Sequence, residues 1–343
     1  MKKLSILNIV PFLILIVIVI IFFWKSLFFG YLPIPSDIIV NSYLPWMSYH
    51  SSNEEVKNPL LSDPVTQFCP SVMRSTKILR EGKVSLWDPF IFCGKPDFIV
   101  PLIPPFNILQ YLLTTFMSYG LTIIAQVFLS GLFMYLFLRY GLINLGKFAS
   151  LIGAIVFMLN GVFMVWLEFG GTIGAGLWFP LIFLFIDKTI SKKSLFCACL
   201  GAILLGIQCF SGNLQLFSYL LLACFFYASF RIICLYKNRI AAKELFKPVI
   251  LVLLVFIFGI LLTCVYLVPV FSRAESGFRQ EVKLKELNPL PVANLVTFVI
   301  PDFYGTPAPP HSYGVVRNWF YETGLIKKQV VKVGGENYNE YCG

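Results

Sequence analysis

Apolar residues in this chain run in long blocks separated by short polar stretches, and those blocks set its architecture. A block of roughly 18 or more apolar residues can cross a bilayer as a helix. The first begins after Lys2 and Lys3 and closes with FFWKSLFFG. A secretory signal has a shorter apolar region and a small-residue cleavage site, so this block reads as an uncleaved first span. Trp24, Phe28, Phe29 and Tyr31 at its end suit an interfacial aromatic belt. Further spans are expected near 119–139, 147–168, 172–187, 194–212, 213–235 and 248–270, which makes seven. Segment 102–117, carrying Pro104-Pro105, is too short and reads as a re-entrant or interfacial helix. The fold class is therefore an all-α polytopic membrane protein.

This pattern divides the chain into a first span (1–29), a long polar loop (30–101), a bundle of about six further helices (102–271) and a second polar segment (272–343). The first loop is long for a mere connection, which points to function. Within it, Val72, Met73, Thr76 and Leu79 fall on one helical face and Arg74, Lys77 and Glu81 on another. Such a helix would lie on the membrane surface.

Composition agrees with the pattern. The 343 residues are 58% apolar and only 13% charged, about half the charge of an ordinary soluble protein. Charge then orients the spans. With the N-terminus in the cytoplasm, the cytoplasmic pieces hold 12 bases, from Lys2 to Lys247, against only Asp187 and Glu244. The whole net charge of +10 sits there, as the positive-inside rule requires. A nucleic-acid surface would instead cluster bases with stacking aromatics in a soluble segment, and none is present. Cys69 and Cys93 share the first loop and could pair in an oxidising compartment; Cys197, Cys199, Cys209, Cys224, Cys234 and Cys264 read as apolar packing. Neither Cys197-x-Cys199 nor His50 and His311 makes a metal set, so no cofactor is indicated, and a divalent metal stays open.

The outer side collects the unusual polar groups: Asp37, Asp63, Asp88, Glu168, Asn213, Gln215, Arg273, Glu275 and Asp302. The spans hold almost no charge, which argues against an ion-coupled carrier; Gln126, Asn160 and Gln208 read as interhelical hydrogen-bond partners. An enzyme acting on a polyprenyl-phosphate sugar fits this distribution. Phosphate leaves without a proton donor, whereas the acceptor hydroxyl needs a base, for which one carboxylate at the lipid surface suffices, worth about 10²–10⁴-fold. Asp37, just beyond the first span, is the first choice, with Asp63 as a partner that orients substrate or holds a metal. Arg74, Lys77 or Arg273 could bind the donor phosphate; Glu168, Asn213, Gln215 and Asp302 are candidates for substrate contact. Each has a plain structural alternative. Ser-Asp after proline also caps helices and starts turns, Asp88 in WDPF suits a turn, and Asn213 and Gln215 could satisfy backbone groups of a tight hairpin.

Taken in order, DPVTQFCP (63–70), EGKVSLWDPFIFCGKP (81–96), LNGVFMVWLE (159–168), SGNLQ (211–215), VYLVPVFSRAESG (265–277) and VIPDFYG (299–305) resemble the YfhO family of bacterial multi-pass membrane proteins. That family is similar to the GT-C class of lipid-dependent glycosyltransferases. The resemblance implies a GT-C-like module of seven spans whose first outer loop carries the catalytic acid, with Asp37 at that position and Asp63 in the family's Asp…Gln-aromatic-x-Pro phrase. It also implies sugar transfer from an undecaprenyl-phosphate carrier to an envelope polymer such as teichoic acid. The family's Gly-His/Asn-Pro-Gln hairpin appears as Gly212-Asn213-Leu214-Gln215, without its proline. Typical members continue with more spans, so this chain corresponds to an N-terminal portion.

The expectation is a membrane glycosyltransferase of the bacterial cytoplasmic membrane, its N-terminus inside, its partners membrane lipid, a polyprenyl-phosphate-linked sugar and an envelope acceptor. The alternatives are a lipid or glycan transporter (a flippase) and a non-catalytic scaffold for envelope assembly.

Overall fold

The computed structural model describes residues 9–49, 56, 58, 61–83, 87–90, 93–96, 109, 112–113, 115–141, 144–237, 242–275, 295–296, 299–300, 330–333 and 336–339. The expected re-entrant segment at 102–117 lies mostly outside them, as does most of 272–343. The chain forms two compact units, Met1–Ile34 with Phe68–Glu275, and Pro35–Gln67 with Ser276–Gly343.

The first unit is a helical bundle. Helix α1 (Val10–Phe22) is apolar on every side, as a helix bathed in lipid is. Only the stripe Pro11, Leu15 and Val19 is buried. That stripe packs on α6 (Thr115–Tyr140) and α7 (Lys147–Met158), where Ile123, Val127, Ala154 and Met158 complete the core. Gly131 makes the close approach feasible, because a Cβ there would stand 2.9 Å from the Met158 sulfur. In lipid, where apolar burial drives little association, such small-residue contacts bring helices together. After a break at Phe23, α2 (Trp24–Phe29) ends on Gly30 at φ +71°, and the Tyr31 N–H bonds to the Lys25 carbonyl at 3.4 Å. That left-handed cap suits glycine.

Beyond α7 the chain is broken into short pieces: α8 (Gly161–Val165), a 3₁₀ turn at Leu167–Phe169 and α9 (Gly171–Gly176). It then continues as α10 (Phe179–Lys192), α11 (Leu195–Cys209), α12 (Leu214–Lys237) and α13 (Ala242–Glu275). Helix α10 runs through the middle of the second core, with Ile182, Ile186 and Ile190 buried at successive turns beside Leu205, Leu220 and Val252. Of the spanning helices, the one over Ile173–Lys192 is by far the most enclosed by protein. Helices α11 and α13 interlock through glycines. Leu262 lies against Gly206 and Leu205 against Gly259, where a Cβ would come within 2.4 Å of the leucine Cδ2.

Among the described residues, five helices are long and apolar enough to cross a membrane: Met117–Tyr140, Lys147–Val165, Ile173–Lys192, Leu214–Lys237 and Glu244–Ser272. They coincide with five of the seven expected spans. The other two appear as shorter apolar helices, α1 with 13 residues and α11 with 15. At 1.5 Å per residue these measure about 20 and 22 Å, short of a hydrocarbon core about 30 Å thick.

The amphipathic helix expected in the first loop is α5 (Cys69–Arg80), entered through a π-helical turn at Pro64–Phe68. A small hairpin follows, pairing β1 (Trp87–Asp88) with β2 (Lys95–Pro96). The second unit contains α3 (Asp37–Ser42), α4 (Trp46–Tyr49) and an antiparallel hairpin of β3 (Val330–Val333) and β4 (Glu336–Asn339).

Interlocking of α11 and α13 predicts that Gly259→Val lowers unfolding stability in detergent by about 1–3 kcal/mol, the usual cost of overpacking. Gly146→Ala, where a Cβ meets nothing within 4 Å, should leave it unchanged.

Candidate functional site

At the end of the bundle nearest α5, the chain turns back between α8 and α10. Asn160 starts the sequence of turns by capping α8, its Oδ1 accepting the Phe163 N–H at 3.0 Å. Gly170 finishes it at φ +66°. Glu168 sits in the 3₁₀ turn between them, half-buried, and its carbonyl accepts the Tyr119 hydroxyl of α6 at 2.8 Å. Phe68, just ahead of α5, meets Phe169 edge to face with ring centroids 5.5 Å apart. Cys69 and Glu168 are both electrostatic neighbours of the Tyr119 hydroxyl. Glu168 thus stands where the first loop is tied to the bundle. Burial pushes the Cys69 thiol above its ordinary pKa, and Cys69 and Cys93 are unbonded, so the possible disulfide between them is not formed.

Arg74, expected on the polar face with Lys77 and Glu81, makes contacts that those two do not. It is turned inward, with Nη2 3.4 Å from Asp88 Oδ2 and Nη1 donating to the Trp87 carbonyl at 3.4 Å. Asp88 is buried, and its Oδ1 also accepts the Phe90 N–H at 3.0 Å, closing the WDPF turn. The turn reading of Asp88 is correct but incomplete, since the residue also anchors α5. Gly94 completes the hairpin at φ +114°; a Cβ there would fall 2.5 Å from the Trp87 ring. Lys77, next on the same helix, is exposed, and Thr76 is buried with its hydroxyl bonded to the Val72 carbonyl.

Asn213 caps α12, its Oδ1 accepting the Leu216 N–H at 3.0 Å, and Gln215 donates to the Tyr219 hydroxyl at 2.8 Å on the exposed surface. The structural alternative for Asn213 is therefore realised. Arg273 lies in the last turn of α13, and its side chain is outside the described residues, as is Asp302. Asp37 and Asp63 belong to the second unit. Asp37 occupies the first turn of α3 after Ser36 and is half-buried. There its charge complements the helix dipole. Asp63 is exposed and its Oδ1 accepts the Gln67 amide at 3.1 Å. Among the described residues, no cluster of three His, Cys, Asp or Glu could hold a metal.

Inside the bundle, three amides had been assigned to interhelical hydrogen bonds. Asn160 is a cap instead. Gln126 is 5% exposed and Gln208 0%. Gln126 Oε1, both amide atoms of Gln208 and Thr122 Oγ1 have no hydrogen-bond partner among the described residues. Each such group costs about 1–3 kcal/mol when buried.

The opposite, basic end holds a buried ion pair between two residues of the cytoplasmic charge tally. Asp187 of α10 and Arg231 of α12 lie inside spanning helices, 3% and 9% exposed. Arg231 Nε and Nη2 both reach Asp187 Oδ1 at 2.6 Å. This corrects the view that the spans are nearly free of charge. Removing one base and one acid from the tally leaves the charge bias of that end unchanged. The Tyr227 ring, one turn before Arg231, stacks near Phe183 at 5.2 Å and Phe137 at 6.1 Å, and its hydroxyl is buried without a partner among the described residues. Around the pair, Lys188 donates to the Tyr140 carbonyl and Arg139 to the Leu145 carbonyl at 2.9 Å, so cations close the last turn of α6. That placement complements the helix dipole.

Comparison of the chain with protein-family models, with curated proteins and with solved structures finds no match.

Breaking the buried pair leaves an uncompensated charge. Asp187→Asn or Arg231→Met should destabilise the protein by about 3–5 kcal/mol, whereas Asp187→Leu with Arg231→Met together should recover most of the loss. Chemical unfolding in mixed micelles measures both.

Proposed function

We propose that the protein transfers a sugar from a polyprenyl-phosphate donor to a cell-envelope acceptor, such as teichoic acid, at the outer face of a bacterial cytoplasmic membrane. In this reading the bundle is GT-C-like with seven spans, as the YfhO resemblance implies, and the N-terminus is cytoplasmic. One observation carries the reading: along the sequence, Asp37 and Asp63 follow the first apolar helices α1 and α2, while the bases cluster in the connections after α6, α10 and α12. In this reading such a carboxylate meets the headgroup of an isoprenoid lipid.

Asp37 is the general base that takes the proton from the acceptor hydroxyl as its oxygen attacks the anomeric carbon. The bond from that carbon to the phosphate oxygen breaks, and the polyprenyl phosphate leaves with the electron pair. Displacement from the opposite face inverts the anomeric centre, following the carboxylate logic of inverting glycosidases. Asp63, already oriented by Gln67, positions the acceptor or a divalent metal. Lys77, exposed on α5, and Arg273 neutralise the phosphate. Arg74 would contribute only by exchanging Asp88 for the phosphate. Glu168, Asn213, Gln215 and Asp302 belong to the substrate surface in this scheme.

A transporter is the second reading, and Asp187–Arg231 favours it, because ionisable groups inside spans commonly mark a transport path. The two readings separate cleanly. With purified protein in detergent and undecaprenyl-phosphate sugars, Asp37→Asn should lower turnover at least about 10²-fold while membrane insertion stays normal. A rate near that of the unaltered protein removes Asp37 as base. Lipid flipping in vesicles that survives Asp37→Asn but is lost in Asp187→Leu with Arg231→Met would establish the transporter instead.

A further inference from the structure

The face of α6 that meets the broken segment Gly170–Gly176 carries polar side chains beside the buried Ile123. Tyr119, Thr122 and Gln126 recur at intervals of three and four residues, which places them on one side of the helix. That side looks toward the short helix α9. The Tyr119 hydroxyl lies 3.6 Å from the position a Cβ would take on Gly170, and the Gln126 amide 2.9 Å from the corresponding position on Gly174. Helix α11 packs on α9 as well. Just beyond its end, the Ser211 hydroxyl donates to the Gly174 carbonyl at 3.0 Å, and the Ser211 N–H bonds back to the Gln208 carbonyl at 3.1 Å. The glycines of GTIGAG therefore matter for space. Any side chain at Gly174 would displace Gln126.

Two helices that flank α9 thus carry the orphaned groups Thr122 Oγ1, Gln126 Oε1 and the Gln208 amide. Thr122 and Gln126 stand about 8 and 14 Å along the axis from Met117, the start of the span. Buried polar groups without a partner call for one, and ordered water or a ligand is the usual answer. Nothing charged is among them, which disfavours a phosphate or a cation. An amide both donates and accepts, as does a hydroxyl, so their natural complement is a group that does the same.

We propose that Thr122, Gln126 and Gln208, on the helices flanking Gly171–Gly176, form a buried subsite for neutral hydroxyl groups. Under the glycosyltransferase reading, on which this assignment of the ligand rests, the hydroxyls are those of the donor's sugar ring. The same chemistry could be supplied by internal water, and the experiment separates the two sources.

Binding of undecaprenyl-phosphate-glucose and of bare undecaprenyl phosphate is measured on purified protein in nanodiscs, for the unaltered chain, Gln126→Leu, Gln208→Leu and Thr122→Val. A high-resolution map of the unaltered chain accompanies it. A sugar subsite predicts at least a tenfold loss of affinity for the glucosyl lipid in Gln126→Leu and Gln208→Leu, with the bare lipid unaffected. Unchanged binding of both lipids, together with ordered water within hydrogen-bonding distance of the three side chains, assigns the hydroxyl to water. Unchanged binding with these groups bonded directly to protein, or with no density beside them, overturns the subsite. A variant that fails to fold loses both lipids and is replaced by Gln126→Glu or Gln208→Glu, in which the added charge should still reject the glucosyl lipid selectively. Failure of the enzyme reading looks different: the unaltered chain then transfers no sugar whatever these side chains bind.

Discussion

Lipid cannot satisfy a polar group, and the architecture follows from that constraint. Where the chain runs as an uninterrupted helix, its backbone bonds are internal. Where it breaks, between α7 and α10, side chains take up backbone groups: Asn160 caps α8, the Tyr119 hydroxyl donates to the Glu168 carbonyl, and the Ser211 hydroxyl donates to the Gly174 carbonyl. At the far end of α10 the constraint acts on charge, and Asp187 meets Arg231 with both nitrogens on one oxygen. The most enclosed helix of the bundle thus follows the broken segment at one end and carries an ion pair near the other.

Much of this was legible in the sequence because block length and charge bias are properties of composition along the chain. Five expected spans coincide with helices of spanning length, and α5 stands where its periodicity placed it. The misses have physical reasons. A helical wheel puts Arg74 on the polar face, but a long flexible stem can follow a buried carboxylate inward, and Asp88 lies across a turn that no local pattern connects to α5. Asp187 and Arg231 fall within the expected spans 172–187 and 213–235, but their nearness to the span ends put them in the cytoplasmic charge tally. A signal was nevertheless present. Arg231 continues the buried stripe Leu220, Cys224 and Ala228, so its position on the helix already pointed into the bundle.

The candidate site divides along the same line. Asn213 and Asp88 each accept a backbone N–H, and local geometry explains where they stand. Asp37 stands in the first turn of α3, and Asp63 accepts the Gln67 amide ahead of α5. Gln126, Gln208 and Thr122 form a third class, polar groups that the fold encloses without a hydrogen-bond partner among the described residues.

All of these roles require the two ends of the spanning helices to face opposite sides of the membrane. The direct measurement uses an impermeant maleimide on intact cells and on inverted vesicles, with single-cysteine chains retaining Cys93 of the first loop or carrying Lys192→Cys at the end of α10; both positions are exposed. The account predicts that Cys93 reacts from outside the cell and the cysteine at 192 only in inverted vesicles. Labelling of both from the same side would contradict it.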